Sequence, residues 1–114
     1  MAGELAKKQS DQMVRVARLE ELPEGVPVSV EAEGWFIGLV RFGDQVFAFL
    51  DECTHMEVPL TEGEASPDLV ITCSAHGAKF DLRTGKVLSM PATEPLTVFP
   101  VRVEDGEVWV KLPE

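Results

Sequence analysis

Short apolar runs of period two, each closed by a cluster of turn residues, recur along nearly the whole chain and restrict it to an antiparallel β fold. Residues 13–18 (MVRVAR) and 27–31 (PVSVE) predict the first two strands. Residues 35–41 (WFIGLVR) and 45–50 (QVFAFL) flank Phe42-Gly43-Asp44, a strong hairpin signal. Three further stretches follow: 68–72 (DLVIT), then 79–82 paired with 86–88 across Arg83-Thr84-Gly85, then 98–103 paired with 107–112 across Glu104-Asp105-Gly106. The helical signal is limited to a turn or so around Leu19–Leu22, and Pro23 prevents it from continuing. Trp35, Phe36, Phe42, Phe47, Phe49, Phe99 and Trp109 all lie on these strands and are expected in the core.

Two stretches break the alternation. Residues 51–67 (DECTHMEVPLTEGEASP) and 89–95 (SMPATEP) are rich in turn formers and have no apolar period, so both read as loops. A long loop inside a compact domain usually holds something. Residues 1–12 are polar and aperiodic and read as a frayed tail, which leaves 13–114 as one domain. A domain of this size buries roughly 65% of the surface its unfolded chain exposes, enough for an ordinary core.

Charge narrows the partners. Ten Lys and Arg stand against twenty Asp and Glu, a formal charge of −10, and the acid excess is spread evenly along the chain. A nucleic-acid binder needs a basic stripe to displace counterions, and an anionic membrane surface needs the same. Neither partner suits this chain. Acidity of this kind keeps a protein in solution and steers it toward a basic protein partner. No apolar run approaches the roughly 20 residues of a spanning helix, and the first residues show no apolar leader segment. A cytoplasmic address is the expectation.

The whole stock of soft ligands is two cysteines and two histidines, all in or beside the loops: Cys53-Thr54-His55, then 17 residues, then Cys73-Ser74-Ala75-His76. Several chemistries could use them. The thiols could be small buried hydrophobes, or could form a disulfide, although nothing suggests an oxidising compartment. A structural zinc site takes the same ligand types, but zinc loops usually open with two closely spaced cysteines. A catalytic Cys/His pair would leave the second pair without a role. A binuclear iron–sulfur centre uses all four residues.

The pattern Cys-x-His…Cys-x₂-His resembles the ligand pattern of Rieske-type [2Fe–2S] proteins. CTHMEVPL is similar to the family's first ligand loop, and HGAKFDLRTGKVL followed by PATEPL to its second loop, hairpin and covering third loop. The resemblance is best over about 51–96. It implies an all-β, Rieske-like antiparallel sandwich or barrel with a small cluster-binding part at about 51–92. It also implies one [2Fe–2S] cluster, with Cys53 and Cys73 on the inner iron and His55 and His76 on the outer iron. Pro59 and Pro91 would stiffen the covering loops, and Gly77 would let the backbone approach the cluster. Backbone N–H groups around Thr54, Met56, Ser74, Ala75 and Ala78 would stabilise the charge added on reduction.

The implied function is that of a Rieske ferredoxin: a monomeric one-electron shuttle and not an enzyme. It would take electrons from an NAD(P)H-dependent flavoprotein reductase and deliver them to a terminal oxygenase. A Rieske-like small subunit of an assimilatory nitrite reductase and a zinc-stabilised interaction module are the alternatives. Departures from the wider family sharpen the expectation. High-potential respiratory members add a disulfide between the loops and a serine and a tyrosine near the sulfurs. This chain has no further cysteine and no tyrosine, and Ala78 and Phe80 stand where the hydroxyl pair would be. Loss of both donors predicts a potential toward the low end of the Rieske range of about −150 to +300 mV.

Overall fold

The computed structural model describes residues 13–53, 58–75, 77–90 and 94–113. Strand β1 (Met13–Arg18) and a 3₁₀ turn at Leu19–Glu21 lead into β2 (Val28–Ala32), β3 (Trp35–Phe42) and β4 (Gln45–Leu50). A second 3₁₀ turn, Leu60–Glu62, precedes β5 (Glu64–Ser66), β6 (Val70–Thr72), β7 (Lys79–Asp81) and β8 (Val87–Ser89). Strands β9 (Val98–Phe99), β10 (Val101–Glu104) and β11 (Glu107–Lys111) complete the chain. They form three antiparallel sheets, ordered β9-β4-β3-β2, β10-β11-β1 and β5-β6-β7-β8. The antiparallel β expectation is met. Among the described residues no helix is long and apolar enough to cross a membrane.

The run from Trp35 to Arg41 reads as continuously apolar because its strand is covered on both faces, so neither face can be polar. Ile37 and Leu39 of β3, with Val46 and Ala48 of β4, point to one side and pack with Val108, Val110 and Phe99. Val40 and Phe49 point to the other side and pack with Ile71, Phe80, Leu82 and Leu96. The β9-β4-β3-β2 sheet is therefore the middle layer of three, with a core on each side. The β10-β11-β1 sheet closes one core, and the short β5–β8 sheet closes the other. Gly38 makes this possible on β3. It pairs with Phe49 in register, and a Cβ there would overlap the Phe49 ring.

Several sequence expectations need correction. The predicted strand 98–103 is two strands in two sheets, β9 on β4 and β10 on β11. Pro100 separates them, because a residue without an N–H cannot carry the ladder onward; its carbonyl instead accepts from the Lys111 N–H at 3.0 Å. The stretch 51–67 is not all loop, since it contains the Leu60–Glu62 turn and β5. The strand predicted at 68–72 begins only at Val70. Pro67 to Leu69 form the turn from β5, with Leu69 at φ +67° and its N–H bonded to the Ser66 carbonyl at 2.8 Å. The tail predicted at 1–12 and part of the loop at 89–95 lie outside the described residues.

The aromatic residues divide. Phe49 and Phe99 are buried, and Trp35 packs edge-on against Phe99 with ring centroids 6.1 Å apart. Phe42 and Phe47 pack partly buried against the Phe49 side. Phe36 and Trp109 are not core residues. Trp109 is half-buried on the outer face of the β10-β11-β1 sheet, opposite Arg102 and Arg15. Phe36 is 59% exposed. Its face of β3 is covered at Val40 and Phe42 but not at its own end of the strand.

Candidate metal centre

Nineteen residues separate the two cysteines in sequence, and the fold returns both to one core. Cys53 follows the end of β4 and Cys73 follows the end of β6; they are 2% and 1% exposed. Both pack in the cluster that contains Val40, Phe49, Leu60, Ile71 and Phe80. The disulfide alternative is not realised between them. His55 and His76 lie outside the described residues, as do Thr54, Met56 and Pro91.

The two loops are closed in the same way. The Cys53 N–H donates to the Val58 carbonyl at 2.9 Å, and the Cys73 N–H donates to the Ala78 carbonyl at 2.7 Å. In each case the cysteine N–H reaches the carbonyl five residues on, and a histidine lies between the two in sequence. Within the second loop the Gly77 N–H also returns to the Cys73 carbonyl at 3.1 Å. Gly77 has φ +78°, a left-handed conformation that by itself calls for glycine.

The loops are anchored to each other as well. Glu64 pairs with Thr72 across β5 and β6, and a Cβ on Gly63 would overlap the Thr72 carbonyl. The end of the first loop therefore lies directly against the start of the second. The hairpin beyond is tied to the segment after residue 93 through Gly85, whose carbonyl accepts from the Leu96 N–H at 2.7 Å. Its turn is fixed by Asp81, which accepts from the Arg83 N–H at 2.8 Å. That backbone bond, reinforced by the Arg83 side chain, holds the Asp81 carboxyl below its usual value against the opposing effect of burial.

One pair in this region escaped the sequence reading. Asp51, the buried charged residue among those described, accepts from the Thr61 N–H and from the Thr61 hydroxyl, each at 2.8 Å. The two residues stand at the ends of the first loop, on either side of Cys53. An acid directly after an apolar strand was the available signal, but nothing in a linear sequence pairs it with a threonine ten positions away.

The donor set fits a metal centre. A metal ion takes cysteine as the thiolate. Two buried cysteines in one core, each followed in sequence by a histidine, supply one half of a Cys₂His₂ set. Ala78 and Phe80, the positions without hydroxyls, are both fully buried in the same core. Beside the first loop runs a groove of about 480 Å³. Phe36, Leu50, Val58 and Pro59 give it an apolar lining, and Glu52 and Glu62 make it acidic.

Comparison with known proteins agrees with this geometry. Residues 12–100 match the family model of the Rieske [2Fe–2S] domain. The ferredoxin subunit of 3-phenylpropionate/cinnamic acid dioxygenase from Escherichia coli K12 is 38% identical over 94 residues, covering 82% of this chain and 88% of that protein. The ferredoxin of carbazole 1,9a-dioxygenase from Nocardioides aromaticivorans IC177 superposes with a TM-score of 0.83 at 36% identity, covering 87% of this chain and 96% of that one. A ferredoxin solved in a complex of reduced oxygenase and oxidized ferredoxin of carbazole 1,9a-dioxygenase gives 0.81 at 37% identity, covering 92% and 100%.

Proposed function

The chain belongs to the Rieske [2Fe–2S] domain family, and from that premise we propose that it carries single electrons to a terminal oxygenase, with Cys53, His55, Cys73 and His76 holding its cluster. It is an electron-transfer ferredoxin with a Rieske-type [2Fe–2S] centre and not itself a catalyst of substrate chemistry. The observation that carries the ligand assignment is the matched pair of loops, which bring two buried cysteines into one core.

When bound, the cluster accepts and releases one electron. The chain's own residues set the terms of that exchange. Cys53 and Cys73 contribute thiolates from inside the core, where Phe80, Ile71 and Leu60 exclude water. Histidines contribute neutral imidazole and leave the centre less negative than four thiolates would. Ala78 and Phe80 offer no hydroxyl to the sulfur atoms, which supports a potential low in the Rieske range. The Cys53 and Cys73 N–H groups are each bonded to a carbonyl of the same loop, which ties both cysteines to the backbone around them.

For the partner, the complex of the related carbazole ferredoxin with its oxygenase supports docking to a terminal oxygenase. The acidic groove beside the first loop suits a brief encounter with a basic surface. Supply by an NAD(P)H-dependent flavoprotein reductase, action as a monomer and a cytoplasmic location complete the proposal; a reducing compartment preserves thiolate ligands. Redox titration with metal and labile-sulfide analysis tests it. One electron, two irons and two sulfides per chain are the expected result. A chain that binds zinc and takes up no electron contradicts it. Transfer to a terminal oxygenase should slow as salt rises; a salt-independent rate would remove electrostatic steering.

A further inference from the structure

We propose that Asp51 and Thr61 form a clasp that positions the first ligand loop and governs how firmly that loop holds iron. The inference rests on Cys53 being a ligand, as proposed above. Cys53 lies inside the first loop, and its N–H donates to the Val58 carbonyl at 2.9 Å. In the second loop the Cys73 N–H donates to the Ala78 carbonyl and the Gly77 N–H returns to the Cys73 carbonyl, and the chain then enters the β7–β8 hairpin. The clasp adds a side-chain closure to the first loop. Asp51 and Thr61 lie outside the Cys53–Val58 turn, and both carboxylate oxygens of Asp51 are engaged by the one threonine.

The clasp is itself rigidly mounted. The Asp51 N–H donates to the Phe36 carbonyl at 3.0 Å, which ties it to β3. Thr61 sits in the 3₁₀ turn that begins with fully buried Leu60, a member of the same core as both cysteines. Asp51 is 8% exposed, so its hydrogen bonds to Thr61 face little competition from water. Two donors converging on one carboxylate are stronger than neutral bonds. Asp51 and Thr61 separate only when both bonds break. Asp51 also places a fixed negative charge two residues from Cys53, which opposes the addition of an electron nearby.

Two substitutions separate these effects. Thr61→Val keeps the shape and the N–H bond but removes the hydroxyl and leaves one carboxylate oxygen without its donor. Asp51→Asn keeps an oxygen for the Thr61 N–H and gives the hydroxyl a donor to accept from, so the clasp persists and the charge is lost. Thr61→Ser restores the hydroxyl. Ile37→Val, in the core on the far side of the middle sheet, serves as a control of modest global destabilisation.

The test is the rate of iron release from each holoprotein to a strong chelator, together with its reduction potential. Thr61→Val should release iron about tenfold faster than the unsubstituted protein, while Thr61→Ser and Ile37→Val release it at nearly the unsubstituted rate. Asp51→Asn should retain iron and shift the ratio of reduced to oxidised protein about threefold toward reduced, ~28 mV at 59 mV per tenfold for one electron. Iron release from Thr61→Val at the unsubstituted rate would overturn the proposal. So would equally fast release from Ile37→Val, which would reduce the clasp to ordinary stability. If Thr61→Val does not accumulate, loss of iron from Asp51→Asn as fast as from an open loop, or an unshifted potential, overturns it instead. An unsubstituted chain that binds no iron would be a failure of the ligand assignment, which the clasp experiment leaves distinguishable.

Discussion

The two cores on either side of the middle sheet are held by different means. One is made of aliphatic and aromatic side chains from strands of two to eight residues: Ile37, Leu39, Val108, Val110 and Phe99, with register set by the β3–β4 and β10–β11 ladders. The other is made around strands of three residues, with Cys53, Cys73 and Ala78 among its buried members and turns fixed by hydrogen bonds of single residues. The first core stabilises itself by apolar burial. The second includes two buried thiols, those proposed to hold the cluster. Ladder-built layers support a site, and turn-built layers shape it.

The largest break in this comparison comes from the cysteines. Cys53→Ser or Cys73→Ser should abolish the visible absorbance and iron content of the protein. Amide hydrogen exchange should then rise across β5–β8 and stay slow in β10 and β11. Exchange that rises equally in all three sheets would show that the two cores are one cooperative unit. Next come truncations on each side. Phe80→Ala and Leu39→Ala should each destabilise the fold, by about 3–5 and about 2–5 kcal/mol respectively. Phe80→Ala alone should also speed cluster loss, because its ring packs in the core that contains both cysteines. Parallel denaturation and absorbance measurements separate the two effects.

A smaller effect is expected at the layer the cores share. Gly38→Ala places a methyl group against the Phe49 ring and should cost about 1–3 kcal/mol by overpacking. Gly38→Ala combined with Phe49→Leu should recover part of that loss, as thermal unfolding would show. The smallest effect is the pH response of the hairpin turn. Asp81 has a lowered native pKa, so its contribution is fully present above the ordinary value near 3.8 and is lost as pH falls through the lower native value. Asp81→Asn should therefore lose stability relative to the unsubstituted chain at neutral pH, with the gap narrowing below pH 3.8. A gap that is unchanged on acidification would remove the Arg83 contact as its cause.

Much of the first core was legible in the sequence. The hairpin across Gly43 and the alternation of β1 and β11 are local patterns, and the unbroken apolar run of β3 foreshadows a strand covered twice. The cysteines proposed as ligands were legible as a pattern of residue types, and the fold brings both to one core. What escaped was non-local or too short to have a period. Strand β5 has three residues and one inward side chain, Ala65, so no alternation exists to be read. Pro100 divides a run that looks continuous, because its partners on either side belong to different sheets. Phe36 has the composition of a core residue and lies where the covering layer ends. The Asp51–Thr61 clasp is a side-chain pairing across a loop, and only the folded backbone brings its ends together.

The central claim is that each loop supplies one cysteine and one histidine to a single cluster. Low-temperature electron paramagnetic resonance of the dithionite-reduced protein, grown with ¹⁵N-labelled histidine and resolved for nitrogen couplings, tests it most directly. The account predicts a rhombic signal with an average g below that of all-cysteine [2Fe–2S] centres and coupling to two histidine nitrogens. A signal of the all-cysteine type, or one without histidine nitrogen coupling, would contradict it.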